Sequence, residues 1–293
     1  MTRRESCPLC QAGEQAWAPM RRYHRGHLHT CRRCGHVFAD TFPGRDQLEE
    51  HYGGYPRRAC GSDITLRRYQ ELLDYFESHR AGNRLLDVGC GVGDFLLSAR
   101  SRGWETDGVE LEPRAREICA ERGLEVGPAP LDPARFEPGS FDVITSFEVL
   151  EHMVDPRREI QAIATLIRPG GLLYVTTPNF SSLTRRLLGP RYRVITYPEH
   201  LGYFRVSTLD RLLQDAGLVK VDLRSTGFSV GEVYATIRRR RAGGGGGGGA
   251  VDESVRRALE GGRTTQRIKQ GLNRGLSRLS LGDTLKASYQ QRA

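Results

Sequence analysis

Cys7-Pro-Leu-Cys10 and Cys31-Arg-Arg-Cys34 are two Cys-x-x-Cys turns separated by twenty residues. Paired knuckles of this kind offer four thiolates to one ion, and four thiolates with no open position make a structural tetrahedral zinc site. Asp87-Val-Gly89-Cys-Gly91-Val-Gly93-Asp94 is a glycine loop set between acids. Closely spaced glycines let the backbone approach a ligand where a side chain would clash. A dinucleotide fingerprint would place a third glycine where Asp94 stands, with pyrophosphate on the helix N-terminus. Carboxylates at Asp87 and Asp94 repel a pyrophosphate and suit a zwitterionic amino-acid group beside a cationic centre. Glu110, at the end of the next strand, is placed to accept both hydroxyls of a ribose. Glu148, Glu151 and His152 have i, i+3, i+4 spacing and share one face if helical. A second imidazole, His200, sits in Tyr197-Pro-Glu-His-Leu-Gly-Tyr203. Together these four residues are candidates to hold Mg²⁺ or another divalent ion, which would acidify a substrate hydroxyl. Without an ion, His200 or His152 is the expected general base, with Glu151 beside it.

These residues need elements to position them. Leu66, Tyr69, Leu72, Leu73 and Phe76 predict an amphipathic helix within 62–80. A strand–helix alternation then starts at Arg84. Strands are predicted at Arg84–Val88, Thr106–Leu111, Leu124–Val126, Phe141–Ser146, Leu172–Thr177 and Val219–Arg224. Helices are predicted at Phe95–Arg102, Pro113–Arg122, Pro156–Ile167 (closed by Arg168-Pro-Gly-Gly) and Thr208–Ala216. Repeated β-α units mean an α/β fold with a doubly wound, mostly parallel sheet, whose ligands bind at the carboxyl edge.

The glycine loop with its flanking acids resembles the class I S-adenosylmethionine-dependent methyltransferases. The resemblance runs on through Phe141-Asp-Val-Ile, Glu148-Val-Leu-Glu-His152, Arg168-Pro-Gly-Gly171 and Thr177-Pro-Asn179, over roughly residues 65–235. It implies a seven-stranded Rossmann-like sheet ending in an antiparallel strand, which Thr284–Gln290 would supply. Asp87, Gly89, Gly91 and Gly93 are then expected at the methionine part of the cofactor and Glu110 at its ribose. Leu131, in the loop approaching adenine, and Phe147 are expected to line the same pocket. The Glu-x-x-Glu-His cluster with His200 looks like the metal cluster of small-RNA 2′-O-methyltransferases and is similar to that of ubiquinone-pathway O-methyltransferases. A zinc ribbon ahead of such a core resembles enzymes of polysaccharide, deoxysugar and natural-product pathways.

The expected organisation is a zinc ribbon over 1–45, a helical linker or cap over 46–80 and a methyltransferase core over 81–237. An Arg/Gly-rich flexible loop over 238–250 and a basic helix with the last strand over 251–293 complete it. The chain of 293 residues carries 44 Lys+Arg against 35 Asp+Glu, a formal charge of +9. The excess is uneven: +3 over residues 1–80, −3 over 81–237 and +9 over 238–293. No basic groove is therefore advertised around the core, and a nucleic-acid partner is the second choice. The tail carries seven consecutive glycines, Gly243–Gly249, and then a stripe of Ile268, Leu272, Leu276 and Leu279 flanked by arginines. The stripe is expected to dock inward, with weak contact to a membrane surface as the alternative. No apolar run approaches the roughly 20 residues of a membrane span. Met1-Thr-Arg-Arg-Glu-Ser-Cys has no apolar signal region, so a reducing, cytoplasmic setting is expected, peripheral at the membrane if the tail touches lipid. The expected activity is O-methylation of a small molecule, sugar or polysaccharide precursor. The alternatives are RNA methylation, on ribose 2′-O or base, and a non-catalytic cofactor-binding protein.

Overall fold

Strand-length apolar runs alternating with amphipathic helices fold into a mostly parallel sheet covered on both faces. The computed structural model describes residues 1–44, 62–229 and 274–292, with Gln47 and Val233 as isolated positions. Five short strands come first: β1 (Thr2–Arg3), β2 (Trp17–Pro19), β3 (Leu28–Cys31), β4 (Val37–Ala39) and β5 (Thr41–Phe42). The alternation follows as α1 (Asp63–Phe76), β6 (Arg84–Val88), α2 (Asp94–Arg100), β7 (Glu105–Glu110), α3 (Pro113–Glu121), β8 (Glu125–Pro128) and β9 (Phe141–Phe147). It continues through α4 (Pro156–Leu166), β10 (Ile167–Pro178), α5 (Leu183–Leu188), β11 (Gly202–Tyr203), α6 (Val206–Asp215), β12 (Val219–Thr226) and β13 (Thr284–Gln290).

Seven strands form the main sheet in the order β12-β13-β10-β9-β6-β7-β8. β13 is antiparallel to both neighbours, whereas β10, β9, β6, β7 and β8 run parallel. Thr284–Gln290 thus supplies the expected antiparallel strand. Successive strand residues point to opposite faces. Leu85, Val143 and Leu172 accordingly pack with Leu73, Phe76 and Phe95 under α1 and α2. Leu86, Ile144 and Leu173 pack with Ile160, Ile163, Leu209 and Leu212 under α4 and α6.

Helix starts follow their caps. Ser62 accepts from Thr65 N ahead of α1, and Glu112 accepts from Arg114 N and Ala115 N ahead of Pro113. The run Arg168-Pro-Gly-Gly departs from its expected role as a helix stop. It lies inside β10, which starts at Ile167 paired with Phe141 and shifts register before Leu172. Asp142 is the reason: it accepts from Arg168 Nε, Gly82 N and Arg84 N, so this motif ties two strand starts together. A second departure is Glu148, whose φ of +55° breaks any helix there, with only Leu150–His152 forming a 3₁₀ turn.

A second sheet of four strands, β11-β4-β3-β2, carries the cysteine pairs. β11 comes from far along the chain and pairs antiparallel with β4, Gly202 opposite Phe38 and Tyr203 opposite Val37. In the tail, Leu276 is buried while Leu279 is 69% exposed, so the expected inward stripe does not extend to Leu279. Ile268 and Leu272 lie outside the described residues. No helix among the described residues is long and apolar enough to cross a membrane.

Candidate cofactor and acceptor site

β6 delivers Asp87 to the carboxyl edge of the sheet. The side chain is buried, and its Oδ1 accepts from the Thr145 hydroxyl at 2.7 Å. Burial, with Glu110 nearby, pushes its carboxyl up to about 7, against the pull of the Thr145 bond. The three glycines that follow all have left-handed backbone, with φ of +81°, +56° and +81° at Gly89, Gly91 and Gly93. Their surroundings differ. A Cβ on Gly89 would lie 2.3 Å from Val149 Cγ2, and one on Gly93 would lie 2.3 Å from Leu124 Cδ1. A Cβ on Gly91 meets nothing within 4 Å. Gly89 and Gly93 are therefore required by packing, and Gly91 is the one that borders open space.

Glu110 closes the other side. Its Oε2 accepts from Gly91 N and its Oε1 from Glu112 N, both at 2.9 Å. Each oxygen keeps a lone pair for a hydroxyl donor. Leu131 is buried, with its amide on Glu159 Oε2. Phe147 stacks edge-on with Phe95 at 5.0 Å. Tyr69 of α1 lies 5.1 Å from the same Phe95 ring. Burial and the charges of Asp87 and Asp94 hold its phenol up at about 12. A pinned acid, a second acid and an open glycine between them fit a zwitterionic, cationic cofactor. Tyr69 and Thr145 belong to this pocket but were not predicted as site residues. Tyr69 carried only a helical-periodicity signal and Thr145 none.

A second cluster, the candidate acceptor side, is built by the segment after β9 and by the stretch before β11. Glu151 is buried, and its Oε2 accepts from Thr177 Oγ1 at 2.8 Å. Burial and the neighbouring Glu148 push its carboxyl well above the usual range. His152 Nδ1 bonds the Glu199 carbonyl at 2.9 Å, and His200 Nδ1 bonds the Val194 carbonyl at 2.8 Å. Carbonyls only accept, so both rings donate from Nδ1, and His152 Nε2 lies 3.9 Å from Glu151 Oε1. The two rings stand edge to face, 4.6 Å apart. Burial, with the His152 ring alongside, lowers His200 to about 4, so it is neutral at physiological pH.

One donor atom from each of Glu151, His152 and His200 lies within 4.8 Å of the others. A carboxylate oxygen with two imidazole nitrogens suits a divalent ion. Glu148, expected as a fourth member, is not in this group. Its left-handed backbone sends it elsewhere: its amide bonds the Thr176 carbonyl, and burial raises its carboxyl although Thr176 and Lys286 oppose the rise. Lys286, reaching in from β13, had no sequence signal.

In the N-terminal sheet the sulfurs of Cys7 and Cys34 are 3.6 Å apart, as are those of Cys10 and Cys31. A tetrahedral zinc with Zn–S of about 2.3 Å needs edges of about 3.8 Å, so the four thiols fit that ion. His36, two residues beyond Cys34, is fully buried, stacked on Phe38 and near Phe204.

The sheet order, the glycine loop and the paired acids define a Rossmann-like, S-adenosylmethionine-dependent methyltransferase. Residues 60–223 match the model of the methyltransferase domain. The chain is 32% identical over 180 residues to the ubiquinone biosynthesis O-methyltransferase of Chromobacterium violaceum, covering 56% of this chain and 77% of that protein. To the protein of the same name from Ralstonia nicotianae it is 33% identical over 173 residues, covering 54% and 72%. Among solved structures, phosphoethanolamine N-methyltransferase 2 of Haemonchus contortus, in complex with S-adenosyl-L-methionine, shares the fold at a TM-score of 0.52 and 18% identity. That match covers 88% of this chain and 62% of that one, so this chain spans less than two thirds of that protein's length. A SAM dependent methyltransferase from Archaeoglobus fulgidus shares the fold at a TM-score of 0.52 and 20% identity, covering 85% of this chain and 100% of that one. The chain belongs to the methyltransferase-domain family.

Proposed function

We propose that this enzyme transfers a methyl group to an oxygen of a small-molecule or carbohydrate-linked acceptor, with His200 or His152 taking the acceptor's proton. The observation that carries the reading is a pair of imidazoles, each fixed at Nδ1 by a backbone carbonyl, that stand edge to face at 4.6 Å beside the buried Glu151 carboxyl. Similarity to named O-methyltransferases supports oxygen as the acceptor atom. Bound S-adenosylmethionine supplies an electrophilic sulfonium methyl. Asp87 would hold its ammonium group and Glu110 its ribose hydroxyls, with Leu131 and Phe147 lining the rest of the cofactor site. As the acceptor oxygen takes the methyl, its proton passes to the imidazole Nε2. The donor set of Glu151, His152 and His200 supports a second version, in which these three hold a divalent ion that acidifies the acceptor hydroxyl.

The same reading divides the chain into a zinc ribbon over 1–45, a helical linker or cap over 46–80, the core over 81–237 and a tail over 238–293, of which 48–61 and 234–273 lie outside the described residues. Cys7, Cys10, Cys31 and Cys34 would hold a structural zinc.

Methyl transfer from labelled cofactor into extract sorted into RNA, lipid, glycan and small-molecule pools tests the acceptor class. Label in the glycan or small-molecule pool is expected, and label in RNA alone overturns it. At saturating cofactor, His200→Ala or His152→Ala should slow turnover about 10²- to 10⁴-fold. Turnover unchanged in both variants rules out both versions. Because His200 is held near 4, turnover limited by it stays flat from pH 8 to about 5 and falls only as pH approaches 4. In the metal version, a chelator abolishes turnover and added divalent ion restores it.

A further inference from the structure

Phe180 follows the Thr177-Pro-Asn179 run and is buried at the wall shared with the N-terminal sheet, among Tyr23, Leu201 and Tyr203. Two guanidinium groups lie against its ring. Arg185 of α5 stands 4.4 Å from the ring centroid, and Arg205, just before α6, stands 5.4 Å from it. Arg185 Nη1 donates to the Tyr23 hydroxyl at 2.9 Å. No carboxylate among the described residues pairs with either arginine, and the Nε atoms of both are buried without a partner. Arg186, exposed on the same short helix, adds a third positive charge. Burial lowers Arg205, and the charges of Arg185 and Arg186 lower it further, so the cluster is held together against its own repulsion. Two cations on one aromatic ring, half-buried and without an acid, leave a place for an anion.

The cluster is connected to the methyl-transfer site. Phe180 packs on Tyr203 at 5.7 Å, and Tyr203 packs on His200 at 6.3 Å. The Tyr203 hydroxyl is itself buried with no partner, a further unused donor along this wall.

We propose that Arg185 and Arg205 form an oxyanion subsite for the methyl acceptor, holding a carboxylate or phosphate-ester group two aromatic rings away from His200. Guanidinium forks match the paired oxygens of both groups, and the Phe180 ring shields one face from water. The acceptor class is thereby narrowed to hydroxylated acids or phosphate esters whose anion lies well apart from the methylated oxygen. This rests on the methyltransferase reading of the neighbouring site.

The test is calorimetry on the full chain at low ionic strength, with inorganic phosphate and benzoate as separate probes, on the wild type, Arg185→Gln, Arg205→Gln and Arg205→Lys. S-adenosylmethionine binding in the same samples reports whether each variant is folded. Saturable binding of at least one probe is expected, weakened about tenfold to a hundredfold in both Gln variants and only partly restored by Lys, with cofactor affinity unchanged. Arg114→Gln, on an exposed surface pair with Glu117, should bind as the wild type does. The arm that responds tells a carboxylate acceptor from a phosphate ester. Failure of both probes to bind, or equal binding by the Gln variants, overturns the subsite. So does retention on phosphatidylglycerol vesicles that is lost in the Gln variants while neither soluble probe binds. Failure of the wild type to bind S-adenosylmethionine would instead strike the underlying reading and leave the anion result standing.

Discussion

Asp87 shows how a single residue can couple folding, protonation and ligand binding. Its carboxyl starts near 3.8 and is raised to about 7 by burial. A raised acid contributes its full share of stability only below about 3.8. That share is lost as pH climbs towards about 7 and stays lost above it. The cofactor-free protein should thus lose stability over this window. A cationic ligand beside Asp87 favours the ionised form, so binding S-adenosylmethionine near pH 6.5 should release a proton. Calorimetry in buffers of different ionisation enthalpy should show the observed enthalpy varying with buffer at pH 6.5, and much less at pH 8.5. Asp87→Asn should remove that dependence and weaken the cofactor about tenfold or more. A binding enthalpy independent of buffer at pH 6.5 would rule this linkage out.

At the scale of the element, the loop between β6 and α2 separates two uses of glycine. Gly91→Ala adds a methyl to open space at a left-handed φ, so folding should weaken by about 1–2 kcal/mol while cofactor affinity falls further. Gly89→Ala must displace Val149, and its cost should fall on folding itself, at about 2–4 kcal/mol. Denaturant titration beside cofactor titration separates the two, and equal stability losses in both variants would contradict the packing seen here. β11 is the other decisive element. Two residues long, it extends the cysteine-bearing sheet immediately after His200. The Leu201 amide also bonds the Glu151 carbonyl at 2.7 Å, which fastens the two acceptor-side segments to each other.

For the whole molecule, that pairing joins the N-terminal sheet to the segment that carries His200 of the proposed acceptor site. Arg4 adds to the join, with Nη1 on the Val154 carbonyl and Nε on the Ala39 carbonyl. The glycine cradle, by contrast, stands on the main sheet. Removing the proposed zinc, by chelation or Cys31→Ser, should slow methyl transfer at least tenfold while cofactor affinity changes less than twofold. One zinc per chain after anaerobic purification is the accompanying expectation. Cofactor affinity falling in step with turnover would show that the two sheets are not separable in this way. The C-terminus is equally integrated. Leu285, Ala287 and Tyr289 of β13 are buried, and Asn179 Nδ2 bonds the Ser280 and Gly282 carbonyls where the chain returns.

Much of this was legible in the sequence for a simple reason: local chemistry was enough. Periodicity placed α1, the core strands and the helices, because burial of one face needs only the local pattern. Glycines between acids after a strand placed the left-handed turn at Gly89, Gly91 and Gly93, and two Cys-x-x-Cys turns placed the thiol cluster. Glu151, His152 and His200 were named from residue type and spacing, and they do converge. Glu148 fails because its partnership assumed a helix, and a single left-handed residue cancels that assumption. Tyr69, Thr145 and Lys286 were missed because a side chain entering a site from another element leaves no local signature.

By itself, the sequence determined the sheet-and-helix alternation, the paired thiols and the acids of the glycine loop, all of which rest on interactions within a few residues along the chain. Tertiary structure alone decided that β11 joins the cysteine-bearing sheet, that His152 and His200 share one tautomer and face each other, and that Arg185 and Arg205 meet on Phe180. Those arrangements depend on contacts between segments tens to hundreds of residues apart, which only the packed chain brings together.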